Sequence, residues 1–259
     1  MAQEVLSFRL LDLQESIGTV LKCMGVLDLR WKEPMNGNGW LRHLLRHLMA
    51  IFNQEKVKIV VMSEEEYIFN VVKGVTISGL EVNTLQKEST VEFLRRFKTV
   101  ENAVVRYLPL KDSSGDAILL TNYQSLRFWN VSLNLDNMST INSVYFDSYV
   151  DITAKDLNRF LKLWLSGSNP RLRRCDFSLP PYAMRKKKAE RTLEDAVVMR
   201  GIQYHRIPED TEREFGVNGV TETIRGGLDF MKKDGTKATV NIVNFDELVE
   251  STFQLFVWL

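Results

Sequence analysis

Two histidines with the spacing of metal ligands are the first candidates for chemistry in this chain. His43 and His47 lie four residues apart in the segment 40–52, which has the apolar periodicity of a helix. Such a pair on one helical face can bind zinc. However, Leu44 follows His43 where a zinc protease needs glutamate, and the chain has only 3 histidines. We therefore interpret the pair as solvated or packed histidines and predict no metal site.

The two cysteines also indicate no reaction. Cys175 alternates with polar residues in a predicted strand and falls on the apolar side of that strand. No activating histidine or helix N-terminus is visible near it, so a buried thiol is expected. Cys23 is interpreted in the same way, and two cysteines form neither a disulfide framework nor a set of zinc ligands. We predict a chain that is not an enzyme and that binds no cofactor. An enzyme on an α/β scaffold is the alternative, which a pocket with converging catalytic groups would support.

The overall composition indicates a folded intracellular protein. Of the 259 residues, 44% are hydrophobic and 26% are charged, as in globular proteins. The net charge of +1 gives no general attraction to nucleic acid or to a membrane surface. The apolar runs are too short to span a bilayer. The N-terminus lacks the features of a signal peptide, so a cytoplasmic or nuclear location is expected. The basic run Arg185–Lys188 is interpreted as a solvated connector.

The segment 152–179 predicts one helix, one stop and one strand. Thr153 and Asp156 have the spacing of a capping box. Gly167 and Pro170 end the helix. The apolar stripe of the helix is Leu157, Phe160, Leu161, Trp164 and Leu165. The opposite face is Lys155, Asn158, Arg159 and Lys162. The strand that follows alternates between apolar and polar residues, which is typical of a half-buried strand in an α/β layer.

A loose apolar pattern ahead of the predicted strands recurs along the chain. It starts at residues 54, 72, 100, 123, 141 and 172, and helix-like segments lie between the copies. The average spacing of about 24 residues is within the roughly 20–29 residues of leucine-rich repeats. A strand–helix unit cannot bury its apolar face alone, so stacking of the units is expected. The sequence therefore predicts an α/β fold, a leucine-rich-repeat-like arc of strand–helix units. Another α/β or α+β layer fold is the alternative.

This repeat makes a specific prediction about three strands and their core. We expect Leu126–Phe128, Val144–Phe146 and Cys175–Phe177 to lie on adjacent strands that run in the same direction. The reason is that a helix of about twelve residues returns the chain to the same end of the sheet. The residues expected to be buried together are Tyr123, Leu126, Phe128, Ile141, Val144, Phe146, Leu172 and Phe177.

The two flanks of the repeat differ from it. Residues 8–53 look helical apart from a loop at 31–39, and residues 226–243 look like a β-hairpin that turns at Asp234-Gly235. The proline-led basic segment 180–190 marks a boundary. The fold class is thus completed by a short helical N-terminal segment and a C-terminal β-hairpin.

Four stretches of the sequence resemble a known family. They are FRLLDLQESIGTVLKCMGVLDL at Phe8–Leu29, YQSLRFWNVSL at Tyr123–Leu133, ITAKDLNRFLKLWLSGSNPRL at Ile152–Leu172 and GGLDFMKKDGTKATV at Gly226–Val240. The first is similar to the first half of an F-box. The others are similar to the F-box-associated type 2 domain of nematode-type F-box proteins. The resemblance implies a partial F-box-like helical segment at 1–30 and an associated domain at 41–259, with a repeat-like part at 41–179 and a C-terminal portion at 191–259.

What the resemblance implies is a non-catalytic, substrate-recognition component of a Skp–cullin–F-box ubiquitin ligase. The F-box would bind a Skp-type adaptor, and the associated domain would bind a target protein that the sequence does not identify. The residues implied in adaptor binding are Phe8, Leu10, Leu11, Leu13, Ile17, Leu21 and Met24. The chain departs from the family in two ways: Gln14 replaces the usual proline, and the similarity stops near Leu29, at about half an F-box. The alternative is therefore a stand-alone protein-binding module with a decayed F-box and no link to a ligase.

Overall fold

The chain forms two compact units, residues 1–108 and residues 109–259. In a computed structural model, the described residues are 6–10, 26–29, 39–51, 53, 55–61, 67–83, 87–97, 99–106, 118–129, 131, 133–150, 152–179, 193–244 and 251–258. The boundary at residue 108 lies inside the segment 41–179, which was predicted to be one continuous repeat-like part. The predicted domain limits, 1–30 and 41–259, stay predictions.

The described part of the first unit has a parallel sheet flanked by helices. Its strands are β1 (Leu6–Leu10), β2 (Val26–Leu29), β3 (Lys56–Val61), β4 (Thr76–Val82) and β5 (Asn102–Val105). Its helices are α1 (Gly39–Ile51), α2 (Tyr67–Val71) and α3 (Lys87–Arg96). The strand order is β2-β1-β3-β4-β5, and every described pair is parallel. α1 confirms the helix predicted for Trp40–Phe52.

The prediction of helix for the N-terminal segment is wrong at both described stretches. Leu6–Leu10 is a strand that pairs along its length with β3, and Val26–Leu29 is a strand that pairs with β1. The sequence LSFRL alternates between apolar and polar residues with a period of two, and VLDL has the same character. A period of two favours strand over helix, and pairing with a neighbouring strand then stabilises that state.

The described part of the second unit has a mixed sheet with helices. Its strands are β6 (Ser125–Phe128), β7 (Tyr145–Tyr149), β8 (Arg174–Leu179), β9 (His205–Val217), β10 (Val220–Met231), β11 (Lys237–Val243) and β12 (Ser251–Val257). Its helices are α4 (Leu135–Thr140), α5 (Ala154–Leu165) and α6 (Asp195–Val198). The order is β6-β7-β8-β12-β11-β10-β9. β6, β7 and β8 are parallel, and the later pairs are antiparallel.

The helix predicted within 152–179 is confirmed in detail as α5. Thr153 and Asp156 form a reciprocal capping box at its start. At its end, Gly167 has φ 108°, a conformation that favours glycine. The amide of Ser168 donates to Leu163 (3.1 Å), and the amide of Gly167 donates to Trp164 (3.0 Å), both at the carbonyl oxygen. These two bonds make a Schellman motif, which satisfies carbonyl groups that the helix leaves unpaired.

The predicted parallel strands and most of their core are also confirmed. Leu126 lies opposite Phe146, and Phe146 lies opposite Cys175, in adjacent parallel strands. Of the eight residues expected in the core, seven are at most 3% exposed and Val144 is half-buried. The Phe177 ring lies 5.3 Å from that of Phe146 and 5.7 Å from that of Phe253. The phenylalanines therefore tie the parallel strands to the antiparallel ones.

The α/β class is confirmed, whereas the finer architecture is only partly accounted for. The predicted hairpin is present, with Leu228 opposite Val240 and Phe230 opposite Ala238. The strands β9, β10, β11 and β12 pair in antiparallel fashion. A uniform series of parallel strand–helix repeats does not account for these four strands. The leucine-rich-repeat-like arc therefore stays a prediction.

One residue of α5 does not lie where the sequence places it. Asn158 was assigned to the solvated face, but it is only 9% exposed. Its Nδ2 donates to the carbonyl oxygens of Val198 (2.7 Å) and Arg200 (2.9 Å). These carbonyls lie at the end of α6, where a helix leaves acceptors unpaired. Asn158 therefore joins α5 to α6.

Candidate interaction surface

The two faces of the sheet in the second unit are chemically different. α5 covers one face, where the Phe160 ring lies 5.4 Å from Phe177 and the Trp164 ring 5.7 Å from Phe230. Side chains alternate between the two faces along a strand. In β6, β7 and β8 the residues that alternate with the buried apolar ones therefore point to the opposite face. That face is polar and aromatic.

A hydrogen-bonded network centred on Asp176 occupies the middle of this face. The hydroxyl of Tyr145 donates to its Oδ2 (2.9 Å), and Nε2 of Gln254 donates to its Oδ1 (3.3 Å). Arg174 donates from Nε to Oδ1 (3.1 Å) and pairs through Nη2 with Oδ2 (2.9 Å). The other terminal nitrogen of Arg174 binds Glu222 of β10. Asp176 is thus fully engaged within the protein.

Asp147 lies beside this network with less compensation. It is directly opposite Asp176 in the parallel register of β7 and β8, and opposite Arg127 on β6. Burial and the neighbouring charge of Asp176 raise its pKa, and the positive charges of Arg127 and Arg174 offset only part of this. Burial also raises the pKa of Tyr145, with Asp176 as a further cause. A hydrogen bond with Tyr145 also lowers the pKa of Asp147, but the pKa stays above its ordinary value. The neighbours of Asp147 therefore compensate its burial only in part.

The long hairpin formed by β9 and β10 folds back over part of this face. β10 is three strands from β8 in the sheet, yet Glu222 binds Arg174 of β8. Neighbouring strands are about 4.8 Å apart, so this contact requires the hairpin to cross over β11 and β12. At the hairpin tip, Nδ2 of Asn218 donates to the carbonyl oxygen of Gln124, just before β6 (3.1 Å).

Apolar packing also holds the folded-back hairpin. Phe215 and Ile224 form a buried cluster with Phe256 of β12, and Trp258 packs against it. The Phe215 ring lies 5.1 Å from Phe256 and 5.4 Å from Trp258. The distal half of the hairpin therefore has its own small core on the polar face.

Two glycines allow the hairpin to bend. Gly226 and Gly227 have φ values of 59° and 104°, and the β9–β10 register shifts between Arg225 and Gly227. A Cβ on Gly227 would lie 2.2 Å from Oδ1 of Asn241, so a larger residue does not fit. Arg213 braces the bend, since it donates to Asp229 and to the carbonyl oxygen of Gly226 (2.9 Å). The register shift at this glycine pair has the character of a β-bulge, which bends the hairpin.

The hairpin leaves one region of the face uncovered. Its contacts with Gln124 and Arg174 lie at the amino ends of the parallel strands. Toward the carboxyl ends lie Trp129, which is 51% exposed, and Tyr149, which is 39% exposed. We call Arg127, Trp129, Asp147 and Tyr149 the open patch. It combines two exposed aromatic rings with a weakly compensated carboxylate.

The first unit has a polar cluster of a different kind at the carboxyl ends of its strands. Glu81 pairs with Lys58 (3.3 Å) and Arg106 (3.4 Å), and it accepts a hydrogen bond from Asn83 (3.1 Å). Although burial raises its pKa, these partners hold the pKa of Glu81 below its ordinary value. We interpret this cluster as cross-strand stabilisation because its charges are paired within the protein.

Most of the residues predicted for adaptor binding lie outside the described residues. Phe8 and Leu10 are on β1. Leu11, Leu13, Ile17, Leu21 and Met24 are outside the described part, as are Cys23 and the basic run 185–188. The adaptor contact stays a prediction.

The described histidines and cysteine that the sequence singled out for chemistry show no reactive arrangement. His43 and His47 are both exposed on α1, and Cys175 is fully buried. Among the described residues, no three His, Cys, Asp or Glu side chains come together as a metal site would require. In the same residues, no helix is both long and apolar enough to span a membrane.

Comparison with known families identifies the segment that carries the open patch. Residues 116–177 match the sequence model of the family described as F-box associated. This segment is an F-box-associated domain. It contains β6, β7, α4 and α5, and most of β8. Comparisons with curated proteins and with solved structures gave no match. The match confirms the resemblance of Tyr123–Leu133 and Ile152–Leu172, whereas it does not extend to the F-box-like segment.

Neither the open patch nor the folded hairpin was among the predicted sites. The only sequence feature that points to the patch is the alternation of polar and aromatic residues in RFW and YFDSY. That alternation predicts strands with one polar face, but it does not show which parts of the face are covered.

Proposed function

We propose that this chain is a non-catalytic protein-interaction protein that recognises a target protein through its F-box-associated domain. On this proposal it is the substrate-recognition component of a Skp–cullin–F-box ubiquitin ligase, and it acts inside the cell, in the cytoplasm or the nucleus. The main supporting observation is the family match at 116–177, because it covers β6 and β7, the two strands that carry the open patch. Aromatic side chains such as those of Trp129 and Tyr149 are enriched at protein–protein interfaces.

The second candidate is a stand-alone target-binding module with a decayed F-box. The observation that favours it is the strand state of Leu6–Leu10 and its pairing with β3. A segment that is committed to a sheet does not supply the amphipathic helix that an F-box uses. In this case the chain binds its target without reaching a ligase.

Co-purification with a Skp-type adaptor distinguishes the two candidates. The full-length chain is mixed with the adaptor at micromolar concentration, and the complex is detected by size-exclusion chromatography. The ligase role predicts a complex that is lost in a Leu21→Glu, Met24→Glu double variant, with circular dichroism unchanged. Lys162→Ala on the exposed surface of α5 is the matched control.

Absence of any complex with the wild-type chain would contradict the ligase role. If the same chain still captured a target, the stand-alone module would be supported. A complex that survives the double variant would show that the adaptor contact lies elsewhere in the chain.

A further inference from the structure

We infer that the open patch binds a cationic side chain, arginine or lysine, of the target protein. This inference rests on the proposed target-binding function and specifies the chemistry of its partner. It is carried by the charge balance of the polar face, by the position of two exposed rings and by the internal contacts of the same face.

The polar face carries more negative than positive charge around the patch. The connected groups are the carboxylates of Asp147, Asp176 and Glu222 and the guanidinium groups of Arg127 and Arg174. Arg174 is engaged by Asp176 and Glu222, which leaves Arg127 as the positive charge nearest to Asp147. These described groups therefore have one unbalanced negative charge, and a single cation from a partner neutralises it.

The position of Asp147 suits a cation that arrives from solvent. The carboxyl group is half-buried and lies between Arg127 and Asp176 in the parallel register. The carboxyl group is thus already partly desolvated in the free protein, so a partner has to displace less water from it. A charge-assisted hydrogen bond from a guanidinium or ammonium group would then be stronger than one to a fully hydrated carboxylate.

The two exposed rings are placed to contact the same cation. β6 and β7 pair up to Phe128 opposite Ser148, and Trp129 and Tyr149 are the next residue on each strand. Both therefore lie two residues beyond the row of Arg127 and Asp147, on the same side of the sheet as Asp147 and near the same end of the patch. A cation over the face of an aromatic ring is attracted by the negative charge density of that face.

The same face already contains this type of contact. The guanidinium carbons of Arg127 and Arg174 lie 5.2 Å and 5.4 Å from the centroid of the Tyr145 ring. Tyr145 itself donates to Asp176. A ring, a carboxylate and two arginines thus form one internal arrangement, and the open patch holds the same kinds of group, aromatic rings beside a carboxylate.

Other partner chemistries fit the patch less well. An anionic segment would be repelled by Asp147 and Asp176. A purely apolar segment would bury Asp147 without compensating its charge, and an uncompensated buried charge is costly. A cationic side chain flanked by apolar residues satisfies both the carboxylate and the rings.

Selection of random peptides displayed on phage against the full-length chain tests the inference. We expect the enriched peptides to share an arginine or lysine. The selected peptides are then synthesised, and their affinity is measured by fluorescence anisotropy against the wild type and against Asp147→Asn. The substitution should weaken binding about tenfold or more, and replacing the peptide arginine with citrulline should do the same.

A second variant is expected to change the peptide affinity in the opposite direction, which distinguishes an effect on recognition from an effect on folding. Arg127→Gln removes the cation that competes for Asp147, so it should tighten binding of the same peptides. A general structural disturbance would weaken binding in both variants. Lys162→Ala, on the helical side of the sheet, is the control and should leave the affinity unchanged.

The outcomes also separate this inference from the proposed function. Enriched peptides that lack cations, or that bind Asp147→Asn as tightly as the wild type, would overturn the inference while target binding stands. A wild-type chain that enriches no peptide would count against both. Binding that weakens in Asp147→Asn and strengthens in Arg127→Gln would support both.

Discussion

Cys175 occupies the face of the parallel strands opposite the open patch, and its surroundings determine its reactivity. It is 0% exposed, and burial, followed by the charge of Asp176, raises the pKa of its thiol well above the ordinary value. Only the thiolate is nucleophilic. We therefore expect iodoacetamide at about pH 8 to leave Cys175 unmodified in the folded protein and to modify it rapidly in guanidinium chloride. Mass spectrometry of the peptide that contains Cys175 measures this, and rapid modification of the native protein would contradict its burial.

Asp147 is expected to lower the stability of the free protein at neutral pH. Its pKa is raised by burial and by Asp176, and the groups that face it are Asp176 and Arg174 on β8, Arg127 on β6 and Tyr145 on its own strand. A raised pKa in the folded state means that folding favours the protonated form. The destabilisation therefore develops as the pH rises through the ordinary carboxyl range and is complete above the folded-state pKa.

Asp147→Asn should consequently increase the free energy of unfolding at pH 7, and the increase should diminish as the pH falls toward about 4. Urea denaturation over this pH range measures the difference. Asp234→Asn is a suitable comparison because the pKa of Asp234 is lowered, chiefly by a backbone hydrogen bond from Thr236, so its removal should not stabilise the protein. A gain for Asp147→Asn that is independent of pH would contradict the electrostatic origin.

At the scale of elements, the packing of α5 depends on Trp164. The side chain is 1% exposed, its ring lies 5.7 Å from Phe230, and Nζ of Lys232 lies 3.9 Å from the ring centroid. Truncating a buried tryptophan costs about 3–5 kcal/mol, a large part of a typical stability of about 5–15 kcal/mol. Trp164→Ala should therefore unfold a large fraction of the protein, whereas Lys162→Ala should change the stability by no more than about 0.5 kcal/mol. Thermal denaturation measures both, and a harmless Trp164→Ala would show that this contact with β10 is dispensable.

The side-chain amide of Asn158 makes two hydrogen bonds from α5 to the end of α6. Asn158→Asp keeps the shape of the side chain but removes both donors to Val198 and Arg200, and it places a carboxylate against their carbonyl oxygens. Leaving buried polar groups unsatisfied costs about 1–3 kcal/mol each. We expect a loss of stability in that range and faster hydrogen exchange in residues 195–202. Arg159→Ala, on the neighbouring exposed position, is the control. If the amides of residues 195–202 exchanged at the same rate in both variants, other contacts would be holding α6 in place.

The elements that were predicted correctly are those whose local sequence contains clear caps, turns and apolar periodicity. α5 has caps at both ends and a continuous apolar stripe, and β10 and β11 alternate around a clear Asp-Gly turn. β9 was missed because most of its residues are exposed, so charged residues on both of its faces hide the alternation. The burial of Asn158 was missed because its partners are 40 and 42 residues away in the chain. Such long-range contacts have no local pattern.

At the scale of the whole second unit, the candidate surface arises from tertiary contacts that the sequence does not display. The strands of the open patch were predicted as neighbours, and their parallel pairing brings Arg127, Asp147 and Asp176 into one row. The limits of the patch depend on the folded-back hairpin. Its Glu222 binds Arg174, and these two residues are 48 positions apart in the chain. Length and composition of β9 and β10 gave no indication that they fold back, because the bend needs both the glycine pair and a place for Phe215 to be buried.

The hairpin is expected to behave as two parts on either side of its glycine bend. The part near Leu228 is paired with β11 in the sheet, whereas the distal part is held by Phe215, Ile224 and the Glu222–Arg174 ion pair. Phe215→Ala removes the largest buried side chain of the distal part. Its amides at 213–224 should therefore exchange much faster, while those at 228–231 stay protected.

Hydrogen exchange followed by mass spectrometry measures the two parts separately. Val220→Ala is the control, since Val220 is at the tip and 63% exposed, and it should change neither part. A uniform increase across 213–231 would show that the hairpin opens as one piece and that Gly226-Gly227 is not a boundary. If only the distal part opens, the amino ends of β6 and β8 become accessible, and the area that a target can contact extends from the open patch across the whole polar face.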